Sequence, residues 1–269
     1  MDIVEDFDLD LKLAELKING VAVFENLVSV EKIDRMREAF MPLLETIRER
    51  EGTVRPVEVG NVQTGRGRLQ NPNRYTLLWP FEPPFDDPEL YENPVILEFL
   101  ERYWGTDDFQ ITVLTSNNPY PGSVYQNWHR DIQLQVPGVG IPTVPHFGVK
   151  FPLVDTCEEN GSIEFLPSTQ YLAEPELESK YNELIERGSF SSQCRLNMKR
   201  GTFFMADPRT LHRGTPNISD APRPELCIGY SQSWFTPRAE KERQTRMKRA
   251  RFDALSDRGK KLFSRASIS

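Results

Sequence analysis

Two of the three histidines in this chain stand where they can bind one metal ion together with a carboxylate. His129 and Asp131 are two residues apart, and residues at that spacing in a strand point to the same face of a sheet. His212 follows the apolar run 201–206 and can supply a third ligand. Two neutral imidazoles and one carboxylate leave three positions of an octahedron open, as in non-haem Fe(II) oxygenases. The spacing therefore predicts a ferrous site with room for a bidentate 2-oxo acid and O2.

A basic residue, Arg223, comes eleven residues after His212 and follows a turn rich in proline. Its guanidinium keeps its charge at physiological pH and can hold a carboxylate with two parallel hydrogen bonds. We therefore expect Arg223 to bind the distal carboxylate of a dicarboxylate such as 2-oxoglutarate. The predicted cofactors are Fe(II), 2-oxoglutarate and O2.

With these residues, the chain resembles the phytanoyl-CoA dioxygenase-like family of Fe(II)/2-oxoglutarate-dependent oxygenases from about residue 11 to residue 236. Four segments carry the resemblance. The opening 16–37 resembles the family's first strand and long helix, 126–131 the metal-binding segment, 159–168 a turn and strand, and 199–230 the part with the distal histidine and the co-substrate arginine. The resemblance implies a double-stranded β-helix. It also implies His129, Asp131 and His212 as metal ligands, and Arg223 as the co-substrate anchor.

The chain departs from the family pattern at two points. Residues 168–170 do not match the family's Pro-Gly-Ser-His ending, so Gln170 takes no role from the resemblance. Members often have Ser or Thr two residues after the distal histidine, where it touches the co-substrate carboxylate, and this chain has Gly214. Thr215 is the candidate to replace that contact.

The pattern of apolar residues indicates a mainly β fold with supporting helices. A strand is expected over 21–25, a helix after Ser29, and a second helix from Glu89 to Trp104. Short apolar segments then alternate with turn residues, as in a sandwich or jelly roll. They are 109–115, 129–136, 147–154, 162–166, 192–197, 201–206 and 225–235. The fold class predicted is therefore α+β, a double-stranded β-helix (jelly roll, cupin-like), with a helical insertion over 170–187.

Composition favours one domain over 1–269, with a core over about 11–236. Sixteen Phe and four Trp can fill a large core, and no repeat or Gly/Ser linker divides the chain. The net charge of −7 argues against a nucleic-acid partner, although 238–265 is rich in basic residues and reads as an exposed charged helix. No apolar run is long enough for a membrane span and the acidic start lacks the features of a signal peptide, so a cytoplasmic enzyme is expected.

Residues for binding the substrate are harder to choose. The interval 52–84 is rich in Pro and Gly and should be irregular, and intervals of this kind often bind ligands. Arg66, Arg74 and Trp79 lie in this interval and could contact an anionic or aromatic substrate. The alternative is that the interval is a surface loop with no binding role. The remaining candidates for substrate contact are Gln126, Asn127 and His146.

The favoured activity is hydroxylation of a C–H bond in a free small molecule, in specialised metabolism, with succinate and CO2 as co-products. A carboxylate at Asp131 fills the position that a halide would need, which disfavours halogenation. Desaturation and cyclisation stay open. Two other classes also stay open: a Zn(II)- or Mn(II)-dependent isomerase or hydrolase on the same fold, which would not need Arg223, and a non-catalytic β domain.

Overall fold

The computed structural model describes residues 7–52, 72–132, 143–171, 193–236 and 244–269. In these ranges the α-helices are α1 (Leu9–Asn19), α2 (Val30–Glu51), α3 (Pro88–Tyr91), α4 (Pro94–Trp104), α5 (Arg249–Asp253) and α6 (Asp257–Leu262). A short 3-10 helix spans Thr169–Tyr171. No helix of the described ranges is both long enough and apolar enough to cross a membrane.

The strands form two sheets that face each other and a separate small pair. The first sheet has the order β1 (Val21–Phe24), β7 (Phe203–Ala206), β4 (His146–Pro152), β9 (Glu225–Gln232), β3 (Phe109–Pro119) and β2 (Arg74–Tyr75). The second has the order β6 (Cys194–Arg195), β5 (Glu164–Phe165) and β8 (His212–Arg213). The pair is β10 (Arg246–Met247) with β11 (Ser267–Ile268). The antiparallel sheets and the helices that support one of them confirm the predicted fold class.

Strand β4 shows how the first sheet is built, because its successive side chains point to opposite faces. Phe147, Val149 and Phe151 are fully buried in the main core. Burying each of these side chains contributes roughly 1.5–3 kcal/mol. The same core contains side chains of the first, second and fourth helices, among them Leu16, Ile33, Met36, Phe40, Ile96 and Phe99. The helices thus cover one face of the sheet.

The other face of β4 carries His146, Gly148 and Lys150, which are only partly buried. A second, smaller apolar cluster joins this side of the sheet to the three-stranded sheet, and it consists of Val21, Ile163, Phe165, Met198, Phe204 and Ala206. Polar side chains of β4 therefore lie on the side of the sheet that faces the three-stranded sheet, beside a small apolar contact. His212 belongs to the three-stranded sheet, and Lys150 of β4 lies 3.9 Å from Asp131.

The predicted helix from Glu89 to Trp104 is wrong in one respect, because it is two helices. The third helix ends at Tyr91, and the fourth starts at Pro94 with the side chain of Asn93 accepting bonds from the amides of Val95 and Ile96. A proline has no N–H for the preceding turn and disfavours helical backbone in the residue before it. The break therefore falls at Asn93.

The predicted C-terminal helix over 238–265 is also wrong in form. The described part of it contains a short strand and the two short helices α5 and α6. The two helices are separate, and Ser256 caps the start of α6. Met247, Leu262 and Phe263 are buried in the main core. Basic side chains pair with acidic ones of the fourth helix region, as Arg258 does with Glu101 at 2.8 Å. The segment therefore follows the surface of the domain instead of extending as one helix.

Two further segments differ from expectation or lie outside the described ranges. Two residues of the irregular interval 52–84 form β2, whose Arg74 pairs in register with Pro119 of β3. Residues 53–71 and most of the predicted insertion over 170–187 are outside the described residues. The predicted strand over 129–136 is described only as far as 132, and within it His129 makes a single bridge to His212.

Candidate metal centre

The side chains of His129, Asp131 and His212 converge on one point. One ligand atom from each lies within 4.8 Å of the other two. The carboxylate atom Oδ1 of Asp131 is 3.5 Å from Nε2 of His212 and 3.9 Å from Nε2 of His129. Two imidazole nitrogens and one carboxylate oxygen are a donor set that suits a divalent transition metal.

Backbone pairing brings these ligands together across a long stretch of sequence. The amide of His129 donates to the carbonyl of His212 at 3.0 Å, and the amide of His212 donates back at 3.1 Å. The amide of Asp131 donates to the carbonyl of Pro208 at 2.8 Å. The segment with the first two ligands is thereby fixed against the segment that enters β8 with the third.

Hydrogen bonds to both imidazoles set the tautomer that a metal needs. Nδ1 of His129 lies 2.8 Å from the carbonyl of Asn127, and Nδ1 of His212 lies 2.9 Å from the carbonyl of Thr210. A carbonyl can only accept, so each Nδ1 carries the proton and each Nε2 keeps its lone pair for a metal. The ring of His212 also stacks on Phe165, with centroids 5.4 Å apart.

The electrostatics keep two of these ligands, His129 and Asp131, in the protonation states that bind metal. Partial burial, together with the nearby His212, lowers the pKa of His129 to about 4, so its imidazole is neutral at pH 7. Burial would raise the pKa of Asp131, but His212 and Lys150 outweigh it and hold that pKa well below its usual range. His129 and Asp131 therefore fit a metal ion without first having to lose protons.

Arg223 is fully buried and lies just before β9. Its Nη1 donates to Oε2 of Glu225 at 2.8 Å, and both side chains are at most 2% exposed. Its Nε is buried without a hydrogen-bond partner in the described ranges. Lys150 comes next along the same side of the sheet, and its Nζ is 3.9 Å from Oδ2 of Asp131. The buried Arg223–Glu225 pair and the partly buried Lys150 thus place charged groups on the side of the sheet that carries Lys150 towards Asp131.

Two of the predicted contacts are directed elsewhere. The hydroxyl of Thr215 donates to the carbonyl of Ser162 at 2.8 Å and accepts from Nη2 of Arg195 at 2.7 Å. Since its one hydrogen is used there, the arrangement argues against the predicted contact with the co-substrate. Trp79 is 3% exposed in the main core, and its indole donates to the carbonyl of Thr115 at 2.8 Å. It packs as a core residue instead of facing a substrate.

Of the other predicted substrate residues, Gln126 and Asn127 lie just before the ligand His129 in sequence, and His146 lies on β4 of the first sheet. Gln126 is half-buried, and its Oε1 accepts from the amide of Gly214 at 2.8 Å. Asn127 is exposed and offers its carbonyl to His129. His146 is on the polar face of β4, with Nδ1 2.8 Å from the hydroxyl of Ser231.

The two arginines predicted to contact substrate have different outcomes. Arg74 is buried, and its Nη2 donates to the carbonyl of Thr215 at 2.9 Å. It therefore belongs to the interior, not to an exposed loop. Arg66 lies outside the described residues.

Comparison with known families gives a match over residues 16–224 to the model described as phytanoyl-CoA dioxygenase (PhyH). This chain is a member of the phytanoyl-CoA dioxygenase family. The matched range lies inside the 11–236 predicted from the sequence, so the predicted resemblance is confirmed. The family assignment agrees with the predicted cofactors Fe(II), 2-oxoglutarate and O2, and the three ligands of this PhyH member form a set that could hold the metal.

Several solved structures share the fold of this PhyH member. AviO1 from Streptomyces viridochromogenes Tue57 has a TM-score of 0.61 at 16% identity, covering 88% of this chain and 99% of AviO1. HygX from Streptomyces hygroscopicus, solved with nickel, 2-oxoglutarate and hygromycin B, has a TM-score of 0.61 at 15% identity, covering 96% of each chain. SnoK, described as a non-heme alpha ketoglutarate dependent carbocyclase from nogalamycin biosynthesis, has a TM-score of 0.60 at 16% identity, covering 86% of each chain.

Sequence reasoning did not identify Lys150 and Glu225 as residues of the PhyH site. Both stand on strands that were predicted, at alternate positions from buried apolar residues. A charged residue at an alternate position of a strand that is otherwise buried was the available signal. For Lys150 the signal was not used because its partner Asp131 comes from another part of the chain, whereas the partner of Glu225, Arg223, is only two residues away.

Proposed function

We propose that this chain is an Fe(II)- and 2-oxoglutarate-dependent dioxygenase that hydroxylates an unactivated C–H bond of a small molecule, with succinate and CO2 as co-products. The convergence of His129, Asp131 and His212 within 4.8 Å carries this proposal. The carbonyls that fix both Nδ1 atoms support it, because they leave both Nε2 atoms to a metal.

Each part of the site has a task in this reaction. His129, Asp131 and His212 would hold Fe(II), which when bound supplies the chemistry that activates O2 against a C–H bond. Arg223 would bind the distal carboxylate of 2-oxoglutarate inside the domain, where a guanidinium and a carboxylate attract each other more strongly than in water. The core behind β4 and β9 excludes water from that end of the site.

One residue favours hydroxylation over halogenation. Asp131 gives the site a carboxylate ligand, which takes the position that halogenation would need for a halide. Desaturation or cyclisation is the second candidate, and the likeness in fold to SnoK, described as a carbocyclase, supports keeping it. An isomerase or hydrolase without O2 is less favoured because it gives no reason for a buried Arg223.

The polar face of β4 and β9 supports a small-molecule substrate. His146 is held by Ser231, whose hydroxyl also lies 3.1 Å from that of Thr112. A ring held in this way can present Nε2 to a polar group of the substrate. Gln126 and Asn127 would line the opposite side near the metal ligands.

The test is anaerobic addition of Fe(II) and then 2-oxoglutarate to the purified protein. Chelation should give a weak visible charge-transfer band, and later addition of O2 should yield succinate. The variant His212→Ala should lose the band because it removes a ligand. The matched control is His146→Ala, which removes the third histidine and should keep the band. Absence of both band and succinate in the unaltered protein would falsify the proposed activity.

A further inference from the structure

Three arginines are buried in the described part of the chain, and they differ in their partners. Arg209 pairs with Asp207 at 2.7 Å, and Arg223 pairs with Glu225 at 2.8 Å. Arg74 has no carboxylate at ion-pair distance among the described residues, and its Nη2 donates to the carbonyls of Thr215 and Val124 at 2.9 and 3.5 Å. A buried charge without a counter-ion is costly, so an anion is expected to complete it.

Arg74 has donors left over for that anion. Its Nε and Nη1 are both buried and have no hydrogen-bond partner in the described ranges. Burial, with a smaller contribution from the nearby charge of Arg223, lowers its pKa to about 9. The lowered pKa expresses the cost of keeping this guanidinium charged in the free protein, and a bound carboxylate would offset that cost.

The guanidinium of Arg74 lies against Gly214. Gly214 comes two residues after the metal ligand His212 and directly follows β8. A Cβ atom added at Gly214 would lie 2.6 Å from Cζ and 2.7 Å from Nη1 of Arg74. The missing side chain at Gly214 therefore makes the room that Arg74 occupies.

Arg74 is also close to the residue predicted to anchor the co-substrate. It pairs in register with Pro119, and the carbonyl of Pro119 accepts a hydrogen bond from the amide of Arg223 at 3.0 Å. The charge of Arg223 is balanced by Glu225, a partner that is equally buried. A carboxylate that approaches Arg223 therefore meets a neutral pair, and Arg74 is the neighbouring group that contributes net positive charge.

Building on the proposed function, we propose that Arg74 supplies the net positive charge that recognises the distal carboxylate of a 2-oxo diacid. Arg223, held by Glu225, contributes N–H donors to the same carboxylate. The preference for a diacid over a monoacid then depends mainly on Arg74. Family members often have Ser or Thr at the position of Gly214. In this chain the guanidinium of Arg74, from β2, occupies the space next to that glycine.

The test compares two co-substrates in the anaerobic Fe(II) protein: 2-oxoglutarate, and 2-oxopentanoate, which has a methyl group where 2-oxoglutarate has its distal carboxylate. Dissociation constants come from the charge-transfer band and from thermal protection. Arg74→Met should weaken 2-oxoglutarate binding roughly 10- to 100-fold, the effect of a lost charged hydrogen bond, and should leave 2-oxopentanoate binding unchanged. Gly214→Ala should act in the same direction, because its Cβ displaces the guanidinium while the arginine remains.

The matched control is the double variant Arg223→Met with Glu225→Met, which removes the buried pair without changing net charge. It should keep most of the preference for 2-oxoglutarate over 2-oxopentanoate. Arg223→Met alone should lose more of that preference, because it leaves the charge of Glu225 buried without a partner. Should the double variant not fold, Glu225→Gln serves instead and should tighten 2-oxoglutarate binding. Lys150→Met should keep the preference.

Two results would overturn the role of Arg74. One is an Arg74→Met protein that discriminates the two acids as the unaltered protein does. The other is loss of discrimination in the double variant or in Lys150→Met while Arg74→Met retains it. An unaltered protein that binds neither acid would count against the proposed activity itself, and this outcome is distinct from both.

Discussion

The two faces of strand β4 differ in what their side chains contribute to the molecule. On one face Phe147 and Phe151 are fully buried, and Phe151 stacks on Phe203 with ring centroids 4.5 Å apart. On the other face His146 and Lys150 are partly buried and lie beside polar or charged partners. One face therefore holds the sheet to the helices, and the other belongs to the site.

The difference shows how one strand can serve stability and function independently. A two-residue period assigns every second side chain to each face, so a substitution on one face leaves the other in place. Apolar contacts on the core face need only shape and volume. Groups on the polar face each need a specific partner, because a buried polar group without one costs more than it contributes.

Phe151→Ala is the change on the core face with the largest expected effect. Removing this ring should lower the free energy of unfolding by about 3–5 kcal/mol, since a cavity remains between β4 and β7. Urea unfolding measures the loss. The affinity of the folded variant for Fe(II) and 2-oxoglutarate should match that of the unaltered protein. If the affinity falls in proportion to stability, the two faces are not independent.

Much of this architecture follows from local sequence. The alternation in β4 and β9 and the apolar runs of β1 and β7 are visible without a structure, and the fold class predicted from them is confirmed. The residues 129, 131 and 212 were selected by type and spacing, and the structure brings them together. Local patterns suffice where a period or a ligand spacing carries the information.

The rest depends on pairing between distant parts of the chain. Arg74 and its acceptor Thr215 are 141 residues apart, so no local pattern links them. The interval before Arg74 is rich in Pro and Gly, which predicted an irregular segment, but Arg74 pairs with Pro119 and is buried. The helix break at Asn93 was missed, by contrast, although Pro94 gives a local reason for it.

His146 should give the polar face a pH dependence that the core face lacks. Burial, and to a smaller extent Lys150, lower its pKa from 6.5 to about 4, although Asp131 opposes the shift. The unfolded chain binds this proton near pH 6.5 and the folded chain only near pH 4, so stability falls as pH drops through that window. Between pH 7 and pH 5 the loss from His146 should be about 2 kcal/mol.

The measurement is urea unfolding of the unaltered protein and of His146→Gln at both pH values. Glutamine keeps a polar side chain of similar size but does not titrate, so the variant should lose about 2 kcal/mol less on going to pH 5. Other titrating groups are common to the two proteins and cancel in the difference. Equal losses in both proteins would mean that His146 is protonated in the folded state.

The smallest effect is expected at Ser231, which pairs with His146 across β9 and β4. Its hydroxyl lies 2.8 Å from Nδ1 of His146 and 3.1 Å from the hydroxyl of Thr112. Ser231→Ala should cost about 1 kcal/mol at pH 7, the net value of a typical buried hydrogen bond. In a His146→Gln background the same change should cost less, because one of its two partners is already altered. An undiminished cost in that background would show that Ser231 acts through Thr112, and that the polar face is not one connected network.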